Sequence, residues 1–376
     1  MSKCPYCDFY SLPYCEQNAQ QYVGALLHAL DTAPGKGREV DSIYFGGGTP
    51  VLLGGALLEI LQGVYRNFSM QPDCEVTLEA NPAAMTLQTL RQLHGGGFNR
   101  ISMGVQSASD RELQTLGRRH SFEQAVQSVQ MAQQAGFENV SVDLMLGTPG
   151  QGRQSVEHFV STFAQLGVQH ISGYLLKIEP GTAFAKNQIE RLCPDEDQSA
   201  QLYLDTVELM EQHGVLQYEI SNFALPGRES RHNLKYWTLG EYAGFGPGAY
   251  SDFGGVRYGY IRDLDRYIAG ELVLAESEHI PVSEREMEYI MLRLRTTEGM
   301  NIREFENRFR RRFDPLGARL EVYADHGLAQ RTEQGWRLTP RGFLVSNQII
   351  GELQELLNRE KLERLRRAQE GDYRVV

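Results

Sequence analysis

The run Cys4-Pro5-Tyr6-Cys7 is the first place where residue type and spacing suggest chemistry. A CxxC pair can hold zinc, exchange thiols with disulfides, or supply two ligands of an iron–sulfur cluster. A zinc ribbon needs a second close pair, which Cys15, Cys74 and Cys193 do not provide. CPYC also suits a thiol–disulfide oxidoreductase, but such a site follows a strand and caps a helix whose N-terminus lowers the thiol pKa, and nothing precedes Cys4 to build one. A second group of residues consists of glycines and polar side chains: Gly46-Gly47-Gly48-Thr49-Pro50, Glu79-Ala80-Asn81-Pro82, Gln106-Ser107, and Asp143 ahead of Gly147-Thr148-Pro149-Gly150. Three successive glycines open the main chain to a ligand, because no Cβ intervenes. No Lys follows at the spacing of a phosphate loop. A third signal is His232-Asn233-Leu234-Lys235-Tyr236-Trp237, in which an imidazole able to ligate iron is followed by aromatics able to pack on a flat ligand. A His-Asn turn anchored by two core aromatics would account for the same residues.

These groups need elements to position them. Short runs rich in β-branched and aromatic residues predict strands at Ser42–Phe45, Glu75–Ala80, Arg100–Val105, Asn139–Met145, Ile171–Leu176 and Gln217–Ile220. Helical periodicity fills the gaps at 17–31, 55–68, 85–94, 121–135, 153–166 and 196–213. Such alternation requires a parallel sheet, since each return to a parallel strand needs a crossover. Ligands of such sheets bind at the carboxyl ends of the strands, where the glycine and polar groups fall. Six units favour a barrel or partial barrel.

Residues 221–280, rich in Gly, Pro and aromatics, read as irregular structure. Beyond 281 the pattern turns helical, with Met287, Ile290, Met291 and Leu294 on one face, then Ile302, Phe305 and Phe309. A hairpin over 327–338 and the Thr339-Pro340 helix start complete a winged-helix-like module. The expected organisation is a β/α barrel over 1–222, an irregular segment over 223–280 and a helical domain over 281–376.

The chain of 376 residues carries 37 Lys+Arg against 48 Asp+Glu, a net charge of −11, which argues against a phosphate-backbone binder and so against nucleic acid. With 41% hydrophobic residues, five cysteines, no apolar run of about 18 residues and no signal-peptide core, the expectation is a cytoplasmic globular protein.

Lys3–Phe9, Gly46–Pro50, Glu79–Pro82, Gly104–Ser107, Leu116-Gly117-Arg118 and Asp143–Pro149 together resemble the radical SAM superfamily, and within it the branch of oxygen-independent coproporphyrinogen III oxidase and the HemW-like haem chaperones. The resemblance covers nearly the whole chain and implies a partial (β/α)6-type barrel with a small helical C-terminal domain. It implies a [4Fe–4S] cluster held by three cysteines of a CxxxCxxC motif, with S-adenosylmethionine chelating the open iron. Cys4 and Cys7 match the second and third ligands and Tyr6 the aromatic position between them. Gly47, Gly48 and Thr49 match the loop that contacts the methionine part of the cofactor, and Glu79, Gln106, Arg118 and Asp143 match further cofactor contacts. Phe9 stands where the oxidase of porphyrin biosynthesis carries another cysteine, and His232–Trp237 matches the HNxxYW pattern associated with haem in HemW-like proteins. The resemblance therefore implies a chaperone that delivers haem to haem-requiring apoproteins, with room for a peripheral membrane contact and a homodimer. Radical decarboxylation of coproporphyrinogen III and CPYC thiol exchange are the alternatives. The first cluster cysteine and the strand before it would fall ahead of Met1, so a start placed too late is expected, and no normally ligated cluster in the chain as written.

Overall fold

The computed structural model describes residues 3–372. The first helix, α1 (Glu16–Asp31), buries Val23, Leu26, Ala29 and Leu30 on the face that its periodicity sets out. It leads into β1 (Glu39–Phe45), α2 (Ala56–Asn67), β2 (Ser69–Ala80), α3 (Leu87–Gly95), β3 (Arg100–Gln106), α4 (Asp110–Thr115), α5 (Phe122–Ala135), β4 (Val140–Leu146), α6 (Arg153–Gln165) and β5 (His170–Leu175). The next crossover carries α7 (Ala183–Lys186) and α8 (Glu196–Gln212), followed by β6 (Leu216–Gln217) and β7 (Asn222–Ala224). Seven strands form one curled sheet in the order β1-β2-β3-β4-β5-β7-β6. β1 to β5 are parallel, and β7 runs antiparallel between β5 and β6. The fold is thus the expected α/β half-barrel, with one change at its far edge. The run 217–220 is not one strand paired to β5: β7 lies between, β6 ends at Gln217, and Glu219 instead forms a bridge to Thr296.

Local signals explain the helix ends. Ser121 and Asp195 form capping boxes with Gln124 and Gln198 at the starts of α5 and α8. Leu26 and Leu30 of α1 cluster with Ile60 and Val64 of α2, and Ile43 and Phe45 of β1 pack against that cluster. Burial of each such Leu or Ile contributes about 1.5–3 kcal/mol.

The sheet's two faces differ in chemistry. Val76, Leu78, Ile101, Met103, Val140, Val142, Leu144 and Ile171 are buried, and by strand alternation share the helix-covered face. The opposite face carries Ser42, Tyr44, Glu75, Thr77, Glu79, Ser102, Asp143, His170, Ser172 and Tyr174, several of them joined by hydrogen bonds. Closed barrels usually fill that space with branched aliphatics. A polar interior of this kind suits a ligand site.

The stretch expected to be irregular, 223–280, is largely ordered. After α9 (Arg231–Trp237) it holds a second sheet, β8 (Tyr250–Phe253), β9 (Val256–Tyr260) and β10 (Leu274–His279), with α10 (Leu264–Ile268) between β9 and β10. Gly254 and Gly255, both with positive φ, make the two-residue turn of the β8–β9 hairpin.

The chain divides into two compact units, one of residues 1–217, 221–234 and 241–279, the other of 218–220, 235–240 and 280–376. The second contains α11 (Val282–Arg293), β11 (Met300–Asn301), α12 (Ile302–Phe309), α13 (Asp314–Asp325), β12 (Ala329–Arg331), β13 (Gly335–Leu338), α14 (Pro340–Leu344) and α15 (Ser346–Asp372). Its sheet, β11-β13-β12, adds a third strand to the expected hairpin. Thr339 caps α14 through Gly342 N–H, with Pro340 at the first helical position. Tyr289, Phe305, Phe309 and Phe313 pack ring against ring in its core.

Candidate cofactor site at the strand ends

The glycine loop leaves β1 and is tied to the end of β2. Gly47 N–H donates to Glu79 Oε2 at 3.0 Å, and Tyr44 Oη donates to Glu79 Oε1 at 2.7 Å. Asn81 Nδ2 donates to Thr49 Oγ1 at 2.9 Å. Gly47 has φ of +115°, a backbone state that side chains disfavour, and a Cβ there would meet nothing within 4 Å. Space above the loop is therefore open to a ligand. Gly48 lies against the segment that follows Cys7, where its Cβ would stand 3.2 Å from Ser11 Cβ.

Arg118 is the hub on the other side. Its Nη2 donates to Asn81 Oδ1 at 2.7 Å and to the Gly104 carbonyl, and its Nη1 reaches Tyr6 Oη at 3.3 Å and Cys4 Sγ at 3.4 Å. Gly104 makes this possible, since a Cβ there would sit 2.9 Å from Nη2. Burial pulls the guanidinium down, yet Tyr6 and Cys4 beside it hold it above its ordinary value. Burial likewise pushes the Tyr6 hydroxyl well up, against the pull of Arg118.

Cys4-Pro5-Tyr6-Cys7 is a turn, closed by Cys7 N–H to Cys4 O at 3.1 Å. It is docked from two sides. Gly117, with φ of +67°, lets Pro5 approach to where a Cβ would be 2.6 Å from Pro5 Cδ, and Phe184 N–H donates to Pro5 O at 3.0 Å. The Tyr6 ring meets Phe184 at 5.9 Å between centroids. Helix α1 begins at Glu16, so neither thiol sits at a helix N-terminus, and the device that activates a thiol oxidoreductase is missing from this turn.

Gln106 lies at the end of β3 with φ of +82° and accepts from Tyr174 Oη at 2.8 Å. Asp143 lies deeper, within 3.4 Å of Ser102 Oγ. Burial raises Asp143 to about 6, against hydrogen bonds from Ser172 and Ser102 and the charges of Arg100 and Arg118. Burial raises Glu79 to about 7; Asp143 adds to the rise, while Tyr44, Gly47 N–H and Arg100 oppose it. Thr77 Oγ1 and Arg100 Nε, on residues registered across β2 and β3, are buried without a hydrogen-bond partner.

The structure thus brings Cys4, Tyr6, Arg118 and Asn81 into one contact chain, and Gly47, Glu79 and Tyr44 into another, with Thr49 and Asn81 bridging them. Gln106 and Asp143 line the interior beneath. Sequence reading assigned no role to Tyr44, Asn81, Gly104 or Tyr174. Strand alternation was a usable signal for Tyr44 and Tyr174, which fall on the face of the other polar residues.

His232 lies in the first turn of α9, against the Tyr44 side of that cradle. Its backbone N–H and that of Arg231 donate to the buried Glu75 carboxylate, each at 3.1 Å. Its Nδ1 is 3.1 Å from Ser42 Oγ, and its ring stacks on Tyr44 at 5.0 Å and 24°. Tyr236 is exposed and Trp237 half-buried.

Sheet, glycine loop and cysteine pair are those of a radical SAM protein. Residues 1–163 match the Radical SAM superfamily, and residues 280–345 match the HemN C-terminal domain. "Heme chaperone HemW" of Bacillus subtilis is 35% identical over 362 residues, 93% of this chain and 95% of that protein. Its namesake in Escherichia coli is 32% identical over 93% and 94%. Coproporphyrinogen III oxidase (HemN) from Escherichia coli superposes with a TM-score of 0.80 at 22% identity, over 94% of this chain and 87% of that one, which shows the shared fold. The chain belongs to the HemW family of radical SAM proteins.

That family implies a [4Fe–4S] cluster and S-adenosylmethionine. The cradle fits the second: open glycines, a carboxylate able to accept from hydroxyl or ammonium groups, and a half-buried guanidinium able to pair with a carboxylate. For the cluster, Cys4 and Cys7 offer two thiolates. Among the described residues no group of three His, Cys, Asp or Glu is placed to hold a metal, and Cys15 is exposed at the start of α1. Two cysteines are one short of the three that the resemblance implies for the cluster. No helix among the described residues is long and apolar enough to cross a membrane.

Proposed function

We propose that this protein is a cytoplasmic haem chaperone that binds haem through His232 and passes it to haem-requiring apoproteins. Similarity to HemW proteins over nearly the full length of both chains supports the reading. The observation that carries it to a residue is the way His232 is held. Its main chain is fastened to Glu75, its Nδ1 to Ser42 and its ring plane to Tyr44. An imidazole is a common ligand of haem iron, and the fixed ring plane of His232 suits it to that role.

In this reading Cys4 and Cys7 are cluster ligands. Tyr6, Gly47, Gly48, Thr49, Glu79, Gln106, Arg118 and Asp143 bind S-adenosylmethionine, and cluster and cofactor support or regulate haem transfer. The chain's own part is to orient the methionine end of S-adenosylmethionine between Arg118 and the glycine loop. A transient homodimer and a peripheral membrane contact during delivery belong to the same proposal. Coproporphyrinogen oxidation is not favoured, since Phe9 occupies the position of the oxidase's further cysteine.

Haemin titration followed by Soret absorption tests the reading. His232→Ala should weaken binding at least about tenfold, the loss of roughly 1.4 kcal/mol, and slow haem transfer to an apo-haem protein. Equal binding by wild type and His232→Ala would remove the assignment, and anaerobic turnover of coproporphyrinogen III would replace it.

A further inference from the structure

Asn81 stands between the two halves of the cofactor cradle. It follows Ala80, the last residue of β2, and precedes Pro82, which disfavours helical backbone at the residue before it. A turn closed by Ala84 N–H to Asn81 O at 3.2 Å holds the backbone there. The side chain reaches both ways: Oδ1 accepts from Arg118 Nη2 at 2.7 Å, and Nδ2 donates to Thr49 Oγ1 at 2.9 Å. A guanidinium only donates, so the amide must turn its oxygen to Arg118 and its NH2 to Thr49. The Thr49 oxygen is thereby made an acceptor, and its own proton is directed away from Asn81. The other partners of Arg118 are the Gly104 carbonyl, the Tyr6 hydroxyl and the Cys4 sulfur. Asp143 feels the charge of Arg118 without bonding to it, so among the described residues no carboxylate hydrogen-bonds the guanidinium.

We propose that Asn81 is a positioning residue that sets the preference of the cradle for a ligand bearing a carboxylate. The inference rests on reading the cradle as the S-adenosylmethionine site. Asn81 acts through its two neighbours and has no need to touch the ligand. It holds Arg118 in place with a neutral oxygen, so the guanidinium keeps its charge for an incoming anion. Its NH2 occupies the Thr49 oxygen, so the Thr49 hydroxyl becomes a second donor for the same anion. Asn81→Asp keeps the shape and reverses both effects. The new carboxylate pairs with Arg118 and accepts the proton of Thr49, and both donors are then engaged before the ligand arrives.

Equilibrium dialysis with S-adenosylmethionine and with its decarboxylated form tests the proposal on binding alone. The two share the nucleoside, the sulfonium and the amine, and differ only in the carboxylate. Wild type should bind S-adenosylmethionine about tenfold or more tighter than the decarboxylated form, as the loss of a charge-assisted bond requires. In Asn81→Asp the ratio should fall below about threefold, through weaker binding of S-adenosylmethionine, while circular dichroism stays that of wild type. Thr49→Val deletes the hydroxyl and leaves Asn81 in place; it should lower the ratio by about threefold, and it keeps the proposal testable should Asn81→Asp fail to fold. A purely structural Asn81 would weaken both ligands alike, so an unchanged ratio in Asn81→Asp or in Thr49→Val overturns the proposal and leaves the cofactor reading standing. If wild type binds the two ligands equally, or binds neither, the cofactor reading itself falls and the proposal with it.

Discussion

Glu79 gives the sharpest prediction, because its chemistry can be read without any cofactor. Burial lifts its carboxyl to about 7 from an ordinary 4.5. The folded protein therefore binds this proton more tightly than the unfolded chain does. The resulting stability is complete below about pH 4.5, falls as pH rises towards 7, and is gone above it. The full difference corresponds to about 3 kcal/mol, and between about pH 5 and about pH 8 it amounts to roughly 2.5 kcal/mol. Glu79→Gln removes the titration and keeps the geometry. Its carboxamide oxygen can accept from Gly47 N–H, and its NH2 can donate to the Tyr44 hydroxyl, which rotates to accept. Urea unfolding of both proteins at the two pH values yields a double difference in which groups that do not interact with Glu79 cancel. Circular dichroism is the suitable probe, since both tryptophans, Trp237 and Trp336, belong to the second compact unit and would not report on the barrel. Relative to wild type, Glu79→Gln should gain about 2–3 kcal/mol on going from about pH 5 to about pH 8. A difference that moves by less than about 0.5 kcal/mol would refute the claim that burial raises Glu79.

Three further outcomes follow from single contacts. Gly104→Ala puts a methyl 2.9 Å from Arg118 Nη2 and 3.2 Å from Gln106 Nε2; urea unfolding should show a loss of about 1–3 kcal/mol from overpacking, and S-adenosylmethionine binding, measured by equilibrium dialysis, should weaken in parallel. Glu112 is buried and its Oε2 alone accepts from Ser107 Oγ at 2.5 Å, Ser155 Oγ at 3.1 Å and Gln151 Nε2 at 3.3 Å; Glu112→Ala strands three donors and should cost about 2–4 kcal/mol by the same measurement. In the second unit Arg311 bonds Glu286 at 2.9 Å, Glu360 at 3.0 Å and the Leu357 carbonyl at 2.9 Å. There Arg311→Ala should lose about 3–5 kcal/mol by tryptophan-monitored unfolding, whereas the double change Arg311→Met with Glu286→Met should lose much less, because no buried charge is left unpaired.

Much of the barrel was legible because its signals are local. β3 begins at Arg100 and α6 at Arg153 as periodicity places them, and the capped starts at Ser121 and Asp195 fall within a residue or two of expectation. Where reading failed, the deciding contact was distant in sequence. Gln217–Ile220 looks like one strand, but its second half pairs at Thr296, which no local pattern reveals. The 223–280 segment looked irregular because β10 is exposed along its whole length and so lacks alternation between apolar and polar residues. At the site, motif glycines and charged residues stood out by type, while Tyr44 and Tyr174 did not, since an aromatic in a strand reads as packing. Their role appears only when Glu79 and Gln106 are found at hydrogen-bond distance, and the same holds for Ser42 beside His232.

The docking of the CPYC turn has a consequence for the order of events during synthesis. Each of β2 to β5 neighbours the strand made just before it, so the sheet can grow in step with the emerging chain. The turn cannot: its anchors are Gly117 and the Phe184 N–H, the latter about 180 residues downstream of Pro5. At a translation rate of roughly 5–20 residues per second, Cys4 and Cys7 wait about ten to forty seconds for their last partner. These thiols are therefore docked long after they are made, and metal delivered before α7 has been synthesised would meet two cysteines on an undocked turn.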